Sequence, residues 1–412
     1  MKKIIVVGAG ITGCVISYYL SLKGHKVEIY DQADSIGGVM QDYNYSKKIY
    51  FSGPQYLDPN LDWFKKLFST RELKKYFNVF SFSYGSFTDL FNEKIYFNNF
   101  AHPTTKKRFK KNNIKNKKFY SLTDRLNNYQ NEISKRLIDW VKVQTNHYDN
   151  LHEKTADILA IGRLQFLNDN RILSKMKKKY KTIDKLIGIP DKNLKQKVAA
   201  LPKKGNNHLF KIVTKKLKKK NIIINLKNKV YLKKNDGEIN LYSGKKKLIA
   251  DHYVWTANPV PLIRLFNNFT LDNPFVKSIN LYFNVIKNPN KIQNYYAQIF
   301  SKNTTINRIF IYKINNKFKL TAEAVYKKNL EEKDYTKDIK KILHWLDPKI
   351  MISELIGSEK YLKHNLFTNK DFHEFKKFEN IKNNKIISGS WYNYSRDKKI
   401  KSIIKNLNYK NL

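Results

Sequence analysis

The chain has 412 residues, of which 41% are hydrophobic and 14% aromatic, a composition that excludes a disordered protein. Its 80 Lys and Arg residues outnumber its 34 Asp and Glu residues, giving a formal net charge of +46 that would attract phosphates, nucleic acid or anionic membrane surfaces. The Lys runs are scattered and accompany many Asn and Ile residues, as A/T-rich coding would produce. We therefore favour coding bias over a specific nucleic-acid face, and leave electrostatic membrane-surface association and homo-oligomerisation open.

Cys14 is the only cysteine, so no intrachain disulfide can form, and a reducing compartment, the cytoplasm, is predicted. The residues from Met1 to Cys14 imitate a lipobox-like export signal, but their three glycines have the spacing of a dinucleotide-binding fold. No run approaches the roughly 18 apolar residues that a transmembrane helix needs.

The first 30 residues predict a strand, a helix and a second strand. Ile4 to Val7 is a short apolar run, typical of a parallel strand that is buried on both faces. Apolar residues recur at helical spacing from Thr12 to Lys23, and Gly24 then ends the helix. Lys26 to Tyr30 is the second strand, so the chain opens with a β-α-β pattern.

The rest of the chain alternates between helical and strand patterns. Leu61 to Ala200 is Lys-rich and mostly helical, and indicates an inserted unit. Its segments Thr104 to Lys118 and Lys175 to Lys181 are predicted to be solvated loops or helix faces. Further elements are predicted at His208 to Lys219 (helix), Asn221 to Leu226, Val230 to Leu232, Ala250 to Thr256, Arg308 to Tyr312, Lys317 to Val325 and Lys385 to Trp391 (strands), and from about Asp397 (helix, with Ser395 as N-cap).

The turn after the first strand carries a G-x-G-x-x-G sequence, formed by Gly8, Gly10 and Gly13. In such a turn the first glycine makes the tight bend, the second lets the backbone approach a pyrophosphate, and the third allows close helix packing. Asp31 ends the second strand, where a carboxylate can accept hydrogen bonds from ribose hydroxyls. This combination predicts a dinucleotide site, and either NAD or FAD would satisfy it.

Gly37 and Gly38 follow Asp31 at a spacing that separates these two cofactors. Here the sequence resembles the superfamily of FAD-dependent amine oxidases, desaturases and UDP-galactopyranose mutases, in which a Gly-Gly pair lies beside the flavin pyrophosphate. The resemblance implies FAD as the cofactor. It is strongest toward the mutases, and the stretches that carry it are Val7 to Gly13 with Asp31 to Asp42, Gly53 to Tyr56, Pro202 to Phe210, Asn307 to Lys313 and the C-terminal Gly389 with Tyr392, Tyr394 and Asp397.

Two positions depart from the mutase pattern. Gln55 stands where the mutases have a His after Gly-Pro, and Ser390 stands where they have an Arg after the C-terminal Gly. Glutamine can donate a hydrogen bond but carries no charge, and serine cannot replace a guanidinium fork. Arg308 does match an Arg that lies by the substrate diphosphate in that family. If the terminal helix begins near Asp397, its positive end would face the pyrimidine edge of the flavin and favour the anionic reduced form by roughly 0.3–2 kcal/mol.

These observations predict an α/β fold: a Rossmann-like FAD-binding domain of the glutathione-reductase and amine-oxidase type, with a helical insertion and an antiparallel substrate-side sheet. The domain limits are 1–60, 201–260 and 376–412 for FAD binding, 61–200 for the insertion and 261–375 for the sheet. The predicted cofactor-binding residues are Gly8, Gly10, Gly13, Asp31, Gly37, Gly38, Val230, Gly389 and Asp397. The predicted substrate-side residues are Gln55, Tyr56, Arg308, Tyr312, Tyr392 and Tyr394.

No catalytic side chain is assigned, because a flavin would carry the chemistry. No metal-ligand pattern, G-x-S-x-G turn or P-loop occurs, so no metal site is predicted. The mutase resemblance implies that reduced flavin attacks the anomeric carbon of a nucleotide sugar through N5, a step in making precursors for polysaccharide biosynthesis. The alternatives are an amine-oxidase-like or desaturase-like oxidoreductase that accepts a hydride, and a basic binding protein without catalysis.

Overall fold

A computed structural model describes residues 1–53, 55–81, 85–88, 97–98, 102–103, 118–164, 170–186, 198–235, 238–267, 272, 275–287, 295–379, 385–389 and 395–407. The strands are β1 Lys3–Val7, β2 Lys26–Tyr30, β3 Asp42–Tyr45, β4 Lys48–Phe51, β5 Phe77–Ser81, β6 Gly85–Thr88, β7 Phe97–Asn98, β8 His102–Pro103, β9 Val198–Pro202, β10 Ile223–Asn225, β11 Val230–Asn235, β12 Glu238–Ser243, β13 Lys246–Lys247, β14 His252–Trp255, β15 Phe275–Lys287, β16 Tyr295–Phe300, β17 Ile306–Ile314, β18 Lys317–Val325, β19 Met351–Ile352, β20 Gly357–Asn365 and β21 Ile386–Ser388.

The α-helices are α1 Ile11–Leu22, α2 Asp62–Leu67, α3 Thr70–Tyr76, α4 Leu122–Leu126, α5 Asn131–Gln144, α6 Thr155–Ile158, α7 Asn170–Lys179, α8 Lys181–Leu186, α9 Asn206–Lys219, α10 Val260–Asn267, α11 Glu332–Leu346, α12 Asn369–Glu379 and α13 Arg396–Asn406. Short 3-10 helices lie at Gly38–Met40, Tyr148–Asn150 and Ile161–Arg163.

A five-stranded parallel sheet has the order β10-β2-β1-β14-β21. Its first two strands in chain order, β1 and β2, form the predicted β-α-β start together with α1, and the other three strands come from much later in the chain. The strands β1 and β14 are buried on both faces because helices and further strands cover the sheet on each side. The sheet thus draws on all three segments of the predicted FAD-binding domain, whose exact limits stay a prediction.

Each face of this parallel sheet belongs to a different apolar core. Ile4 and Val6 of β1 point into a core with the helices α1, α9 and α13, whereas Ile5 and Val7 point into a core with β12 and α10. The alternation follows from the period of two along a strand. Because α1 and α13 both follow parallel strands, both helices begin at the carboxyl edge of the sheet, where α/β folds bind their ligands.

A second, mostly antiparallel sheet has the order β19-β15-β18-β17-β16-β6, and β20 also pairs with β15. Along β18, Leu320, Ala322 and Ala324 point into an apolar core that includes α11, whereas Lys319, Thr321 and Glu323 occupy the other face and are also buried. One face of this sheet is therefore a conventional core. The opposite face is polar and yet shielded from solvent.

The helices α4 to α8 lie in the region predicted to be inserted, where Arg125 is almost fully buried. Its guanidinium donates to Glu153 at 3.0 Å and to Asp157 at 2.9 Å, so the buried charge is paired. Residues 175–181 lie mainly in α7, as the helix-face alternative predicted, and residues 104–117 lie outside the described ranges. Within the described residues, no helix is both long enough and apolar enough to cross a bilayer.

Candidate functional site

The glycine-rich turn joins β1 to α1 at the carboxyl edge of the parallel sheet. Gly8 has φ +105°, and a Cβ there would lie 2.8 Å from both the Ala257 backbone nitrogen and Thr256 Oγ1. A Cβ on Gly13 would collide with the carbonyl oxygen of Gly8. The Thr256 hydroxyl donates toward the carbonyl oxygens of Val7 (3.0 Å) and Gly8 (2.9 Å). These two glycines are thus required by packing within the protein itself.

Gly10 differs from its two neighbours in the motif. It is the N-cap residue of α1, with φ −66° and ψ 173°, which any residue can adopt, and a Cβ there would meet no atom within 4 Å. The space in front of Gly10 is therefore open. It lies at the N-terminus of a 12-residue helix, where unpaired N–H groups and the helix dipole favour a phosphate. The turn fits the pyrophosphate of a dinucleotide.

The Gly37–Gly38 turn packs directly on this glycine motif. Gly37 donates its N–H to the Ala9 carbonyl at 2.9 Å, and Gly10 and Gly37 form an isolated parallel bridge. Gly37 has φ +129°, and a Cβ there would lie 2.7 Å from the ring of Phe210, whereas one on Gly38 would lie 3.2 Å from Gly10 Cα. The turn can approach the motif this closely only without side chains.

Asp31 holds the same turn from the other side. Its Oδ2 accepts the Ala9 N–H at 2.5 Å and its Oδ1 accepts the Ala33 N–H at 2.8 Å. A carboxylate has further lone pairs, so the predicted contact with ribose hydroxyls is still available and stays a prediction. The Asn228 N–H donates to the Asp31 carbonyl at 2.8 Å. Val230, the first residue of β11, is half-buried and lies two residues after Asn228 in the chain.

Residues 41–53 connect the dinucleotide turn to the polar face of the antiparallel sheet. Ser52 Oγ donates to the Gln41 carbonyl at 2.7 Å, and Asn280 Nδ2 donates to the Ser52 carbonyl at 3.2 Å. Lys319 donates to the Ile49 carbonyl at 2.6 Å. Burial lowers the pKa of Lys319 to about 8, with neighbouring lysines adding to the effect. The hairpin of β3 and β4 therefore rests on side chains of β15 and β18.

Two of the predicted substrate-side tyrosines lie under this hairpin. Tyr312 is fully buried, its hydroxyl accepts the Phe51 N–H at 2.9 Å, and it lies 3.0 Å from Thr321 Oγ1. Burial raises the pKa of Tyr312. The Tyr56 ring packs edge-on against Phe310, with ring centroids 5.2 Å apart. These contacts give both rings a packing role, and a substrate contact for either stays a prediction.

Arg308 lies on β17 within a buried hydrogen-bond network. Its Nε donates to Gln298 Oε1 at 3.1 Å, and Glu323 Oε1 lies 3.8 Å from the same nitrogen. The Tyr361 hydroxyl donates to Asn280 Oδ1 at 3.0 Å and to Glu323 Oε2 at 3.2 Å. The network joins β15, β16, β17, β18 and β20 and covers the polar face of the sheet.

Glu323 is a site residue that sequence reasoning missed. It is 3% exposed, and its carboxylate lies on the polar face of the antiparallel sheet. The sequence did contain a signal for Glu323, because polar and apolar side chains alternate along residues 317–325. If the polar positions of such a strand are buried too, their charges need hydrogen-bonding partners. The pattern predicted the strand but not that both of its faces are covered.

Gln55 contacts the start of the terminal helix. Its Oε1 accepts a hydrogen bond from Arg396 Nη2, which joins residues 341 positions apart. Ser395 is the N-cap of α13, as predicted, and its Oγ accepts the Lys398 N–H at 3.4 Å. Asp397 Oδ2 is 2.9 Å from Lys401 Nζ, while its buried Oδ1 has no hydrogen-bond partner within the described part of the chain. An orphaned acceptor at this edge fits a ligand that donates hydrogen bonds.

Gly389 directly follows β21 and lies beneath the same helix. A Cβ there would lie 3.1 Å from the Lys399 carbonyl and 3.2 Å from the Ile403 side chain, so the glycine lets α13 pack against the sheet edge. This packing alone accounts for a glycine at position 389, and a role for Gly389 in cofactor binding stays a prediction. The other residues of the C-terminal motif, Tyr392 and Tyr394, lie outside the described residues, as does Ser390.

Comparisons with known proteins agree with this arrangement. A family model described as an NAD(P)-binding Rossmann-like domain matches residues 6–70. The solved structure of a reduced UDP-galactopyranose mutase superposes with a TM-score of 0.70 at 11% identity, covering 99% of this chain and 96% of that one.

A putrescine oxidase and an oxidoreductase are similar over the same length. A putrescine oxidase has a TM-score of 0.59 at 11% identity, with 98% of this chain and 97% of that chain covered. An oxidoreductase from Methanosarcina mazei has a TM-score of 0.55 at 13% identity, with 99% and 100% covered. The chain therefore shares the Rossmann-like fold of these solved structures. This confirms the predicted fold class.

Proposed function

We propose that this chain is an FAD-dependent enzyme whose substrate is a polar, hydroxylated molecule, with a nucleotide sugar as the leading candidate. The observation that carries the proposal is the buried polar face formed by Asn280, Gln298, Arg308, Glu323 and Tyr361, joined through the β3–β4 hairpin to the dinucleotide turn. Such a face costs free energy unless its groups are hydrogen-bonded, and it matches a ligand rich in hydroxyl groups.

FAD fits the open space at Gly10 and the tightly packed turn of Gly37 and Gly38. Gly8, Gly13 and Asp31 would hold the turn in shape, while Gly10 and the N-terminus of α1 would face the pyrophosphate. In its reduced form, bound FAD would supply the nucleophile that opens and recloses a sugar ring without net oxidation. The polar sheet face would orient the sugar, and the hairpin would exclude water. The reaction would serve cytoplasmic polysaccharide biosynthesis.

The second candidate is a hydride-accepting FAD oxidoreductase. The observation that favours it is that Arg308 already has partners inside the protein. Its Nε donates to Gln298 Oε1 at 3.1 Å and lies 3.8 Å from Glu323 Oε1. A diphosphate beside Arg308 would therefore also approach a buried carboxylate, which opposes its binding. Uncharged Gln55, in place of the mutase His, favours the same alternative.

The first measurement is the cofactor content of the purified protein, from its visible absorbance and chromatography of the released nucleotide. FAD is expected, and NAD alone, or no nucleotide after attempted FAD reconstitution, would refute the proposal. The two reactions differ in redox requirement. Under anaerobic conditions, a panel of nucleotide sugars should change ring form only with prereduced protein, whereas substrate-driven bleaching of oxidised flavin without isomerisation would establish the oxidoreductase alternative.

A further inference from the structure

Helix α9 exposes lysines and contains no acidic residue. Lys211, Lys215 and Lys218 are exposed and follow the i, i+4, i+7 spacing that places side chains on one side of a helix. The opposite side of α9 carries the buried apolar residues of the helix. No Asp or Glu occurs between Asn206 and Lys220. Lysines that are three or four positions apart repel one another, so this arrangement is unfavourable for the helix alone.

Helix α3 extends this basic surface. Lys216 Nζ lies 2.6 Å from Glu72 Oε1, and the rings of Tyr76 and His208 pack edge-on with centroids 6.5 Å apart, so α3 lies beside α9. The contact with Lys216 neutralises Glu72, the acid of α3. Burial lowers the pKa of His208, and the charges of neighbouring lysines lower it further. The term α9 face is used below for six exposed cations of the two helices, Arg71, Lys74, Lys75, Lys211, Lys215 and Lys218.

The charges of the α9 face are not paired, whereas lysines elsewhere in the same chain are. Within the described ranges, none of its six cations forms an ion pair. Helix α11 also exposes four lysines, but three acids lie in the same helix. Lys333 Nζ lies 2.8 Å from Glu331 Oε2, and Lys340 Nζ lies 3.6 Å from Glu354 Oε1. A Lys-rich composition acts on both helices alike, so it does not by itself explain why only the α9 face lacks acids.

Two apolar side chains are exposed at the end of this surface. Ser21 Oγ donates to the Lys220 carbonyl at 3.0 Å, which joins the last turn of α1 to the end of α9. Leu22, the last residue of α1, is 45% exposed, and Ile223, the first residue of β10, is 55% exposed. Peripheral proteins combine exposed apolar side chains with lysines where they enter the headgroup region of a bilayer.

The chemistry of the α9 face favours a lipid surface over nucleic acid. No aromatic side chain is exposed on α3 or α9, and proteins that bind single strands stack the bases on such rings. Arg71 is the one arginine among the six cations, although arginine makes the bidentate contacts that read bases. Helix α9 is joined to both α1 and α3, so it belongs to a layer of helices and is not a single helix projecting into a groove.

We propose that the α9 face binds the surface of an anionic lipid bilayer, with Leu22 and Ile223 entering the headgroup region. Lysines near such a surface are attracted to many headgroups at once, and at physiological salt this attraction acts over about 8 Å. The inference is independent of the proposed flavin chemistry. It concerns the surface on which the protein acts and not the reaction.

Co-sedimentation of the full chain with lipid vesicles tests the proposal. The wild type should bind vesicles of phosphatidylcholine with about 30 mol% phosphatidylglycerol but not pure phosphatidylcholine, and binding should weaken between about 0.1 and 0.5 M salt. Replacing Lys211, Lys215 and Lys218 together by Gln should weaken partitioning about thirtyfold or more, because each lysine near an anionic surface contributes up to about fivefold. Leu22→Ser should weaken partitioning about threefold and leave its salt dependence unchanged.

The matched control replaces three exposed lysines of α11 by Gln, namely Lys333, Lys337 and Lys340. This variant loses the same formal charge from a helix whose lysines lie among acids, and its partitioning should change less than about twofold. Equal losses in the two triple variants would overturn the assignment to the α9 face, because binding would then follow net charge alone.

Absence of wild-type binding to the anionic vesicles at physiological salt would also overturn the proposal. Fluorescence anisotropy with labelled duplex DNA and single-stranded RNA tests the other class of polyanion. Tighter binding to either of these than to the vesicles, lost in the α9 triple variant, would refute the lipid assignment. Circular dichroism of each variant shows whether a loss comes from misfolding. The vesicle assay needs no flavin, so a wild-type chain that takes up no FAD refutes the proposed function and leaves this test intact.

Discussion

The carboxylate of Asp42 accepts a hydrogen bond at 2.8 Å from the backbone N–H of Asn207, a residue 165 positions later in the chain. In return, the Asp42 N–H donates to Asn207 Oδ1 at 3.1 Å. Helix α9 begins after Gly205, which has no side chain with which to cap it. Asp42 therefore acts as a helix cap supplied from a distant strand, and it fixes the start of β3 against α9 beside the Gly37–Phe210 contact.

This buried cap makes stability depend on pH. Burial raises the pKa of Asp42 from 3.8 to about 7, while the Asn207 hydrogen bond acts in the opposite direction. The folded protein then binds a proton more tightly than the unfolded chain, so the free energy of unfolding falls as pH rises from about 4 to about 7. The effect is at most about 4 kcal/mol. Asp42→Asn should remove this part of the pH dependence.

Urea unfolding of the wild type and of Asp42→Asn between pH 4.5 and 8 measures the difference directly. Other groups titrate in both proteins, and they cancel in the comparison. Asp34→Asn is the control, since Asp34 is exposed and should leave the wild-type slope unchanged. If the free energy of unfolding had the same pH dependence in Asp42→Asn and in the wild type, the Asp42 carboxyl would not take up a proton in this pH range.

A second prediction concerns the glycine under this cap. Gly205 has φ +88° and ψ 166°, a region that is essentially restricted to glycine, and a Cβ there would lie 2.5 Å from Asp42 Oδ2. Gly205→Ala should lower the free energy of unfolding by about 3 kcal/mol or more. Gly244→Ala is the matched control, because Gly244 also has positive φ (+58°) but a Cβ there meets nothing within 4 Å. It should cost only about 1 kcal/mol. Equal losses, measured by chemical denaturation, would argue against the Asp42 contact.

The parts of the site that the sequence predicted are local in the chain. Gly8, Gly13 and Asp31 lie in one β-α-β unit, so their spacing alone defines the turn that the structure contains. The helix cap at Ser395 was predictable for the same reason, since a cap and its helix are neighbours. Strand β17 followed from its alternation of side chains.

The parts that escaped prediction depend on contacts between distant segments. Gln55 and Arg396 meet across 341 residues, and nothing in either segment alone indicates the other. Glu323 is conspicuous only once both faces of its sheet are known to be covered. Arg308 was identified by its residue type, but its charge is compensated by a neighbouring strand. Sequence patterns specify which elements form, whereas pairing of charges between elements is a property of the packed fold.

A third prediction follows from the Arg308 and Glu323 pair. Removing one partner leaves the other charge buried, so Arg308→Gln or Glu323→Gln alone should lower the free energy of unfolding by about 3–5 kcal/mol. The double variant buries no charge and should lose clearly less than the sum of the two. Denaturant unfolding in a double-mutant cycle measures the coupling, which should be about 1–3 kcal/mol. Strict additivity would mean that the two side chains do not interact.

The last prediction separates cofactor binding from folding within the glycine motif. Gly10 has a backbone conformation that any residue can adopt, and a Cβ there meets no atom within 4 Å, whereas a Cβ on Gly13 would collide with the Gly8 carbonyl oxygen. Gly10→Val should therefore fold, losing only about 1 kcal/mol as a poorer N-cap, but its side chain would fill the space of the pyrophosphate and abolish FAD binding. Gly13→Val should be destabilised by several times that amount because α1 must move away from β1. Thermal unfolding and flavin absorbance of the two variants provide both quantities. A folded Gly10→Val protein with wild-type FAD content would remove Gly10 from the cofactor site, and a stable Gly13→Val protein would contradict the packing that places this helix against the sheet.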